Sequence, residues 1–178
     1  YEGWQEYIDK DAPDIYPEEL RYDIDALNDV IYADVNLAVN LAALAGTQEE
    51  YEYYYDLVFD RLDWLEERLS TRRYLMGDTI TSPDIRLFVT LTRFDLVFYQ
   101  KYLLNKKRLV DYPNLWNYAK DLFSNPAFGG NTDFNSMRLR FYYVDHTPFA
   151  DMPRLMPKGP DDSRWLEPND REEKFSKK

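Results

Sequence analysis

The sequence predicts an all-α domain, a helical bundle that ends in a long irregular C-terminal tail. Three observations carry that prediction. Apolar residues recur three and four positions apart over long stretches. Two Thr-led capping signals stand just before such stretches. No segment alternates apolar and polar residues as a half-buried strand would, and no internal repeat is visible. The 178 residues suit one compact domain with a sizeable core. Apolar residues at 44% against charged residues at 31% separate the chain from disordered sequences.

Residues 1–17 read as a lead-in segment, because Pro13 and Pro17 break any long helix there. Its aromatics Tyr1, Trp4, Tyr7 and Tyr16 are expected to pack onto the domain. The bundle proper is expected over residues 18–146. Its first helix should run from about Glu18 to Ala45, with Leu20, Ile24, Leu27, Ile31, Val35, Ala38 and Ala42 on one face. Gly46 ends it. Thr47 then caps a second helix, and Glu50 three residues on completes a capping box. That helix carries Tyr51, Tyr55, Val58, Leu62, Leu65 and Leu69 on one stripe. Tyr53 and Tyr54 widen the stripe into an aromatic band suited to core and interface packing.

The sharpest local signal is Thr79-Ile80-Thr81-Ser82-Pro83-Asp84-Ile85. Thr81 is a cap, and Asp84 can reach back to it from the third helical position. Pro83 sits in the first turn, where no intrahelical N–H bond is lost. Ile80 and Ile85 are placed to form a hydrophobic staple. The helix behind them should reach about Tyr99 with Ile85, Phe88, Val89, Leu91, Thr92 and Leu96 inside. Arg86 on it is expected to pair with an acid such as Asp25 or Asp78. A short helix or turn follows, about Gln100 to Leu109, with Lys101, Lys106, Lys107 and Arg108 as a solvated face or a set of carboxylate partners. Asp111-Tyr112-Pro113-Asn114-Leu115-Trp116 opens another helix, which Asn125-Pro126 stops. Gly129-Gly130-Asn131 reads as a loop, and a last helix as roughly Asp133 to Tyr143. Trp64 and Trp116 are expected in the core, and His146 beside Asp145 at a helix end. Residues 147–178 form a Pro-rich tail without regular structure. Leu155, Met156 and Trp165 should anchor it, while Glu172 to Lys178 fray.

Composition excludes whole classes of chemistry. There is no cysteine, hence no disulfide, thiolate metal site or cysteine nucleophile. One histidine rules out His-cluster metal sites, and six scattered glycines form no phosphate loop. No catalytic residue and no metal ligand is assigned. Residues 1–70 hold 19 acids and 4 bases, a net of −15, which disfavours nucleic acid and anionic membranes. A solvated acidic face is the plain reading, with docking onto a basic partner as the alternative. The longest nearly apolar stretch, Leu37 to Ala45, is interrupted by Asn40 and is too short to cross a bilayer. The first residue is Tyr1 rather than Met. The chain is therefore read as a processed product or part of something longer, soluble and intracellular, with an organelle such as a plastid or mitochondrion open to it.

Several strings resemble the C-terminal domain of glutathione transferases, and in detail the Xi class, the glutathionyl-hydroquinone reductases. They are Asp14-Ile15-Tyr16-Pro17-Glu18-Glu19-Leu20-Arg21 with Ile24-Asp25-Ala26-Leu27-Asn28, and Thr47-Gln48-Glu49-Glu50-Tyr51-Glu52. Tyr74-Leu75-Met76-Gly77-Asp78, Asp84-Ile85-Arg86-Leu87-Phe88 and Arg93-Phe94-Asp95 match the central signature. Asp111-Tyr112-Pro113-Asn114-Leu115-Trp116, Tyr142-Tyr143, His146 and Met156-Pro157-Lys158-Gly159-Pro160 match the end. The resemblance covers about residues 14–171. It implies a separate thioredoxin-like domain that binds glutathione and carries the attacking cysteine, with the helical domain walling the aromatic substrate. Of the tyrosines that hold the substrate phenol in that family, Tyr142 and Tyr143 are retained by resemblance. Asn40 stands where the family motif Val-Asn-Asn-Gly-Val-Tyr-Lys has its tyrosine, and Phe98 replaces another.

These departures favour a non-catalytic domain acting as a structural or protein-interaction subunit of a larger assembly. The alternative is the C-terminal half of a glutathionyl-hydroquinone reductase. A further one is a ligand carrier with a relict aromatic pocket, testable by tryptophan quenching with quinones or porphyrins. The resemblance also implies homodimerisation through the helical domain. Glutathione is the parent family's cofactor, and none is assigned to this chain.

Overall fold

The structure, a computed structural model, describes residues 12–144 and 155–176. Tyr1, Trp4, Tyr7, Asp145 and His146 lie outside the described residues. All regular structure among the described residues is helical. The first long helix is continuous but not uniform. A 3-10 turn Glu18–Leu20 leads into α1 (Arg21–Ile31), a π-helical stretch Tyr32–Leu37, and then α2 (Ala38–Leu44). Its buried face is Ile24, Leu27, Ile31, Val35, Ala38, Val39 and Ala42. The π stretch absorbs one extra residue per turn, which keeps both halves of that face inward.

Thr47 caps α3 (Gln48–Ser70) by accepting the Glu50 N–H at 3.1 Å. The Glu50 carboxylate accepts the Gly46 N–H at 2.9 Å, one residue earlier than the expected capping box. Thr47→Ala is expected to cost about 1 kcal/mol, read as a lower urea midpoint at unchanged slope. Val58, Phe59, Leu62, Leu65 and Leu69 face the core from α3. Trp64 does not; it is 40% exposed, and the guanidiniums of Arg61 and Arg68 lie over its ring at 5.0 and 5.3 Å. A tryptophan roofed by two cations is sheltered at the surface without being core. Arg61 also reaches Asp34 at 2.6 Å, joining α3 to the π stretch.

α4 (Ser82–Arg93) is the central helix, packed against α1, and a π-helical stretch Phe94–Phe98 extends it into α5 (Tyr99–Lys101). Its inward residues include Leu87, Phe88, Thr90, Leu91 and Thr92. Ile85 and Val89, expected inside, are 40% and 46% exposed. They lie four residues apart on the opposite side of the helix from Leu87 and Leu91, so one packed face cannot take both pairs. The expected helix or turn over Gln100 to Leu109 is only α5 followed by irregular chain. Lys106 and Lys107 there reach Asp63 of α3 at 3.8 and 3.6 Å.

α6 (Pro113–Ser124) starts at Tyr112, which has no capping side chain. Glu66 of α3 supplies the cap instead, accepting the N–H groups of Asn114 and Leu115 at 2.9 and 2.8 Å. Asn125 then starts a single turn, α7 (Pro126–Gly129), which takes in only Gly129 of the expected Gly129-Gly130-Asn131 loop. Gly129 and Gly130 belong there because a Cβ on either would meet backbone at 2.1 and 2.6 Å. α8 (Phe134–Arg138) passes into a π stretch Leu139–Val144.

The tail is more regular than the prolines suggest. It forms a 3-10 turn Asp162–Leu166 and a last helix, α9 (Arg171–Phe175), within the stretch expected to fray. Trp165 is buried against Phe88, Trp116, Phe123 and Phe134. Leu155 and Met156 are 81% and 40% exposed, so Trp165 is the anchor of the three. Arg171 is fully buried, and its guanidinium donates to the carbonyls of Leu69 (2.8 Å), Arg73 (2.6 Å) and Arg72. It thus satisfies the last carbonyls of α3 and the turn beyond, groups that a helix leaves without partners.

Candidate functional site

The expected folding signal forms a buried polar centre. Asp84 is fully buried, and four groups donate to its carboxylate. They are the N–H of Leu75 (2.9 Å), the N–H (2.8 Å) and hydroxyl (3.0 Å) of Thr81, and the Tyr118 hydroxyl (2.7 Å). Burial pushes the Asp84 carboxyl above its ordinary pKa against the downward pull of those bonds. Burial beside Asp84 likewise pushes the Tyr118 phenol well up, so it stays a donor. Of the Ile80–Ile85 staple only Ile80 packs against the core, and it is half-buried. The start of α4 is held by the carboxylate instead.

The substrate-wall positions lie along the far half of the first helix and the far end of α4. Asn36 stitches the two helices together, donating to the Arg86 carbonyl (3.1 Å) and the Thr90 hydroxyl (2.6 Å). Asn40, one turn on, is exposed, and its amide folds back onto the Asn36 carbonyl at 2.8 Å. Phe98 is buried, its ring near those of Tyr102 (5.3 Å) and Phe141 (6.4 Å). The Tyr142 hydroxyl donates to the Leu96 carbonyl at 2.7 Å. Burial pushes that phenol's pKa up, which keeps it protonated. Tyr143 is 51% exposed. The structure therefore brings Phe98 and Tyr142 together at one π stretch, places Asn40 on α2, and leaves Tyr143 facing outward.

Three apolar side chains on these two helices are open to solvent. Leu37, Ile85 and Val89 are 38%, 40% and 46% exposed. Ile85 and Val89 also line a hollow of about 250 Å³ with Phe128 and Met137. Arg86 stands beside it, exposed, donating to Asn28 at 3.2 Å and lying 5.6 Å over the Tyr32 ring. This replaces the expected acid partner, and Asp25 instead receives the Tyr16 hydroxyl at 2.7 Å. Among the described residues no group of His, Cys, Asp and Glu is placed to hold a metal ion. No helix among them is long and apolar enough to cross a membrane.

Comparison with known proteins bears on this geometry. Residues 48–121 match the family described as glutathione S-transferase, C-terminal domain. The glutathionyl-hydroquinone reductase PcpF of Sphingobium chlorophenolicum is 39% identical over 147 residues, 83% of this chain and 46% of its own length. A glutathione transferase structure from Gordonia bronchialis superposes with a TM-score of 0.89 at 44% identity, covering 98% of this chain and 54% of that one. The glutathione-bound structure of YqjG from Escherichia coli gives 0.88 at 34% identity, covering 97% and 55%. The chain thus spans about half the length of the relatives it matches.

Proposed function

We propose that this chain, similar over residues 48–121 to the C-terminal domain of glutathione S-transferases and with Xi-class relatives, is the substrate-walling half of a glutathionyl-hydroquinone reductase. The observation that carries this reading is that Leu37, three residues before Asn40, and Ile85 and Val89 on α4 are apolar yet open to solvent. Open apolar side chains suit a second domain that brings glutathione to the wall. The attacking thiolate has to come from that domain, since the sequence here has no cysteine. Phe98, buried among the rings of Phe94, Tyr102 and Phe141, backs the wall from behind, while Asn40 offers the aromatic substrate an amide in place of a phenol. Tyr142 spends its proton on the Leu96 carbonyl, so its oxygen is left to accept.

A fusion of this chain behind the glutathione-binding domain of a Xi-class relative tests the proposal. With glutathione, the fusion is expected to release hydroquinone from a glutathionyl-hydroquinone, while the chain alone is inert. In that fusion Asn40→Tyr should raise kcat/KM by about tenfold or more, by restoring a phenolic acid at the wall. A fusion that folds and stays inert in both forms would favour the scaffold reading, in which the open apolar side chains serve only to hold a partner.

A further inference from the structure

Ile85, Val89 and Arg93 follow one another at four-residue steps on α4 and so share one of its faces. All three line the hollow of about 250 Å³ that α4 forms with α7 and α8. Its volume is small for an organic-ligand site and suits an inserted side chain. Arg93 carries the only charge among the residues lining it. The guanidinium is half-buried, and its Nη1 donates to the Val89 carbonyl and, at 3.4 Å, to the Thr92 hydroxyl. Among the described residues nothing accepts from its Nε or Nη2, and no carboxylate pairs with it, although the chain has 33 acids. Burial pulls its pKa down, and no neighbouring charge pulls it back. The other polar side chains at that end are spent on the fold. The Asn131 amide donates to the Ala127 carbonyl and the Thr132 hydroxyl to the Phe128 carbonyl, both at 2.9 Å.

We propose that this hollow seats an aspartate or glutamate of the glutathione-bringing domain, its carboxylate on Arg93 and its apolar neighbours on Ile85 and Val89. The proposal rests on the two-domain reading and adds the chemistry by which the second domain is held. Charge complementarity selects this occupant. A basic or purely apolar segment would leave the guanidinium withdrawn from water without a counter-charge, which is costly. The free Nε–Nη2 edge is the one a carboxylate grips with both oxygens, which fixes orientation as well as adding energy. The net charge of −11 repels acidic surfaces at large, so an acid is welcome only where a local cation receives it.

The chain has no cysteine, so one introduced at Val89 is a clean probe. In the fusion described above, with the attacking cysteine of the added domain replaced by serine, maleimide should label Val89→Cys about tenfold or more slower than in the chain alone. Adding Arg93→Glu sets like charges together and should remove most of that protection, about tenfold in rate. Arg93→Lys should keep part of it. Thermal melting of the chain alone checks that Arg93→Glu folds, and Arg93→Gln, which should also lose protection, carries the test if it does not. Protection that survives both Arg93→Glu and Arg93→Gln would overturn the ion pair and leave the two-domain reading standing. An unprotected Val89→Cys in a fusion that still releases hydroquinone when its cysteine is kept would overturn it likewise. A fusion that neither protects nor turns over would take down the reading and the proposal together.

Discussion

Asp84→Asn is expected to destabilise the domain by about 3 kcal/mol at neutral pH, although the swap is nearly isosteric. Both Asp84 oxygens accept, and each faces one backbone N–H, from Leu75 or Thr81. Those two donors cannot reverse. An asparagine amide has only one oxygen, so its NH₂ must confront one of them. The Tyr118 and Thr81 hydroxyls can rotate to accept, which is why the loss stops short of the cost of a bare buried charge. Equilibrium urea unfolding reads the effect as a lower midpoint at unchanged slope. The pH dependence follows from the raised pKa of Asp84. A raised acid holds its proton more tightly folded than unfolded. Its share of stability is fullest below the unfolded value of about 3.9 and falls as pH rises through the folded value. The gap between wild type and Asp84→Asn should therefore narrow from about pH 4 toward neutrality. A gap that widens would mean the four hydrogen bonds outweigh burial.

Arg171→Met is expected to cost about 3–5 kcal/mol, the range for removing one partner from a buried charged network. Methionine can replace the apolar stem of the side chain but is shorter than the guanidinium arm and donates nothing. The carbonyls of Leu69, Arg72 and Arg73 would then stay buried without donors. Arg171→Lys should recover part of the loss, because an ammonium reaches one or two of the three. Burial lowers the arginine's pKa, yet a guanidinium keeps its charge at any physiological pH. Limited proteolysis gives an independent readout. In the methionine variant the segment after Trp165 should be cut well before the helical bundle.

The helical faces were legible wherever one residue type could serve only one role. Ile24, Leu27, Ile31, Val35, Ala38 and Ala42 are buried as their spacing required. Trp165 anchors the tail as its size suggested. Position 85 was misread because Ile85 and Val89 are as apolar as Leu87 and Leu91, and periodicity cannot say which apolar face this chain covers itself. Glu66 and Arg171 were missed for another reason. Each caps a helix distant in sequence, and a charged residue has no local pattern that announces such a task. The π stretches at Tyr32–Leu37, Phe94–Phe98 and Leu139–Val144 were equally silent, since the apolar spacings of three and four residues that cross them do not distinguish a wider turn from an α-helical one. At the candidate wall, residue identities came from resemblance, but the commitment of the Tyr142 hydroxyl to the Leu96 carbonyl came only from the fold.

The Arg171 contacts also bear on when the domain can finish folding. They join residues 98 to 102 positions apart, the longest reach among the described hydrogen bonds. A growing chain has α3 in hand early, but the group that closes its last turn emerges some hundred residues later. During synthesis α3 can pair with α1 and α2 while its far end stays frayed and wet. The final closure then waits on the tail, whose loop must be drawn in against its own entropy before the contact repays it. Ribosome-bound chains halted before Arg171 should therefore hold a nearly complete bundle with one loose seam, the seam that chaperones and proteases would meet first.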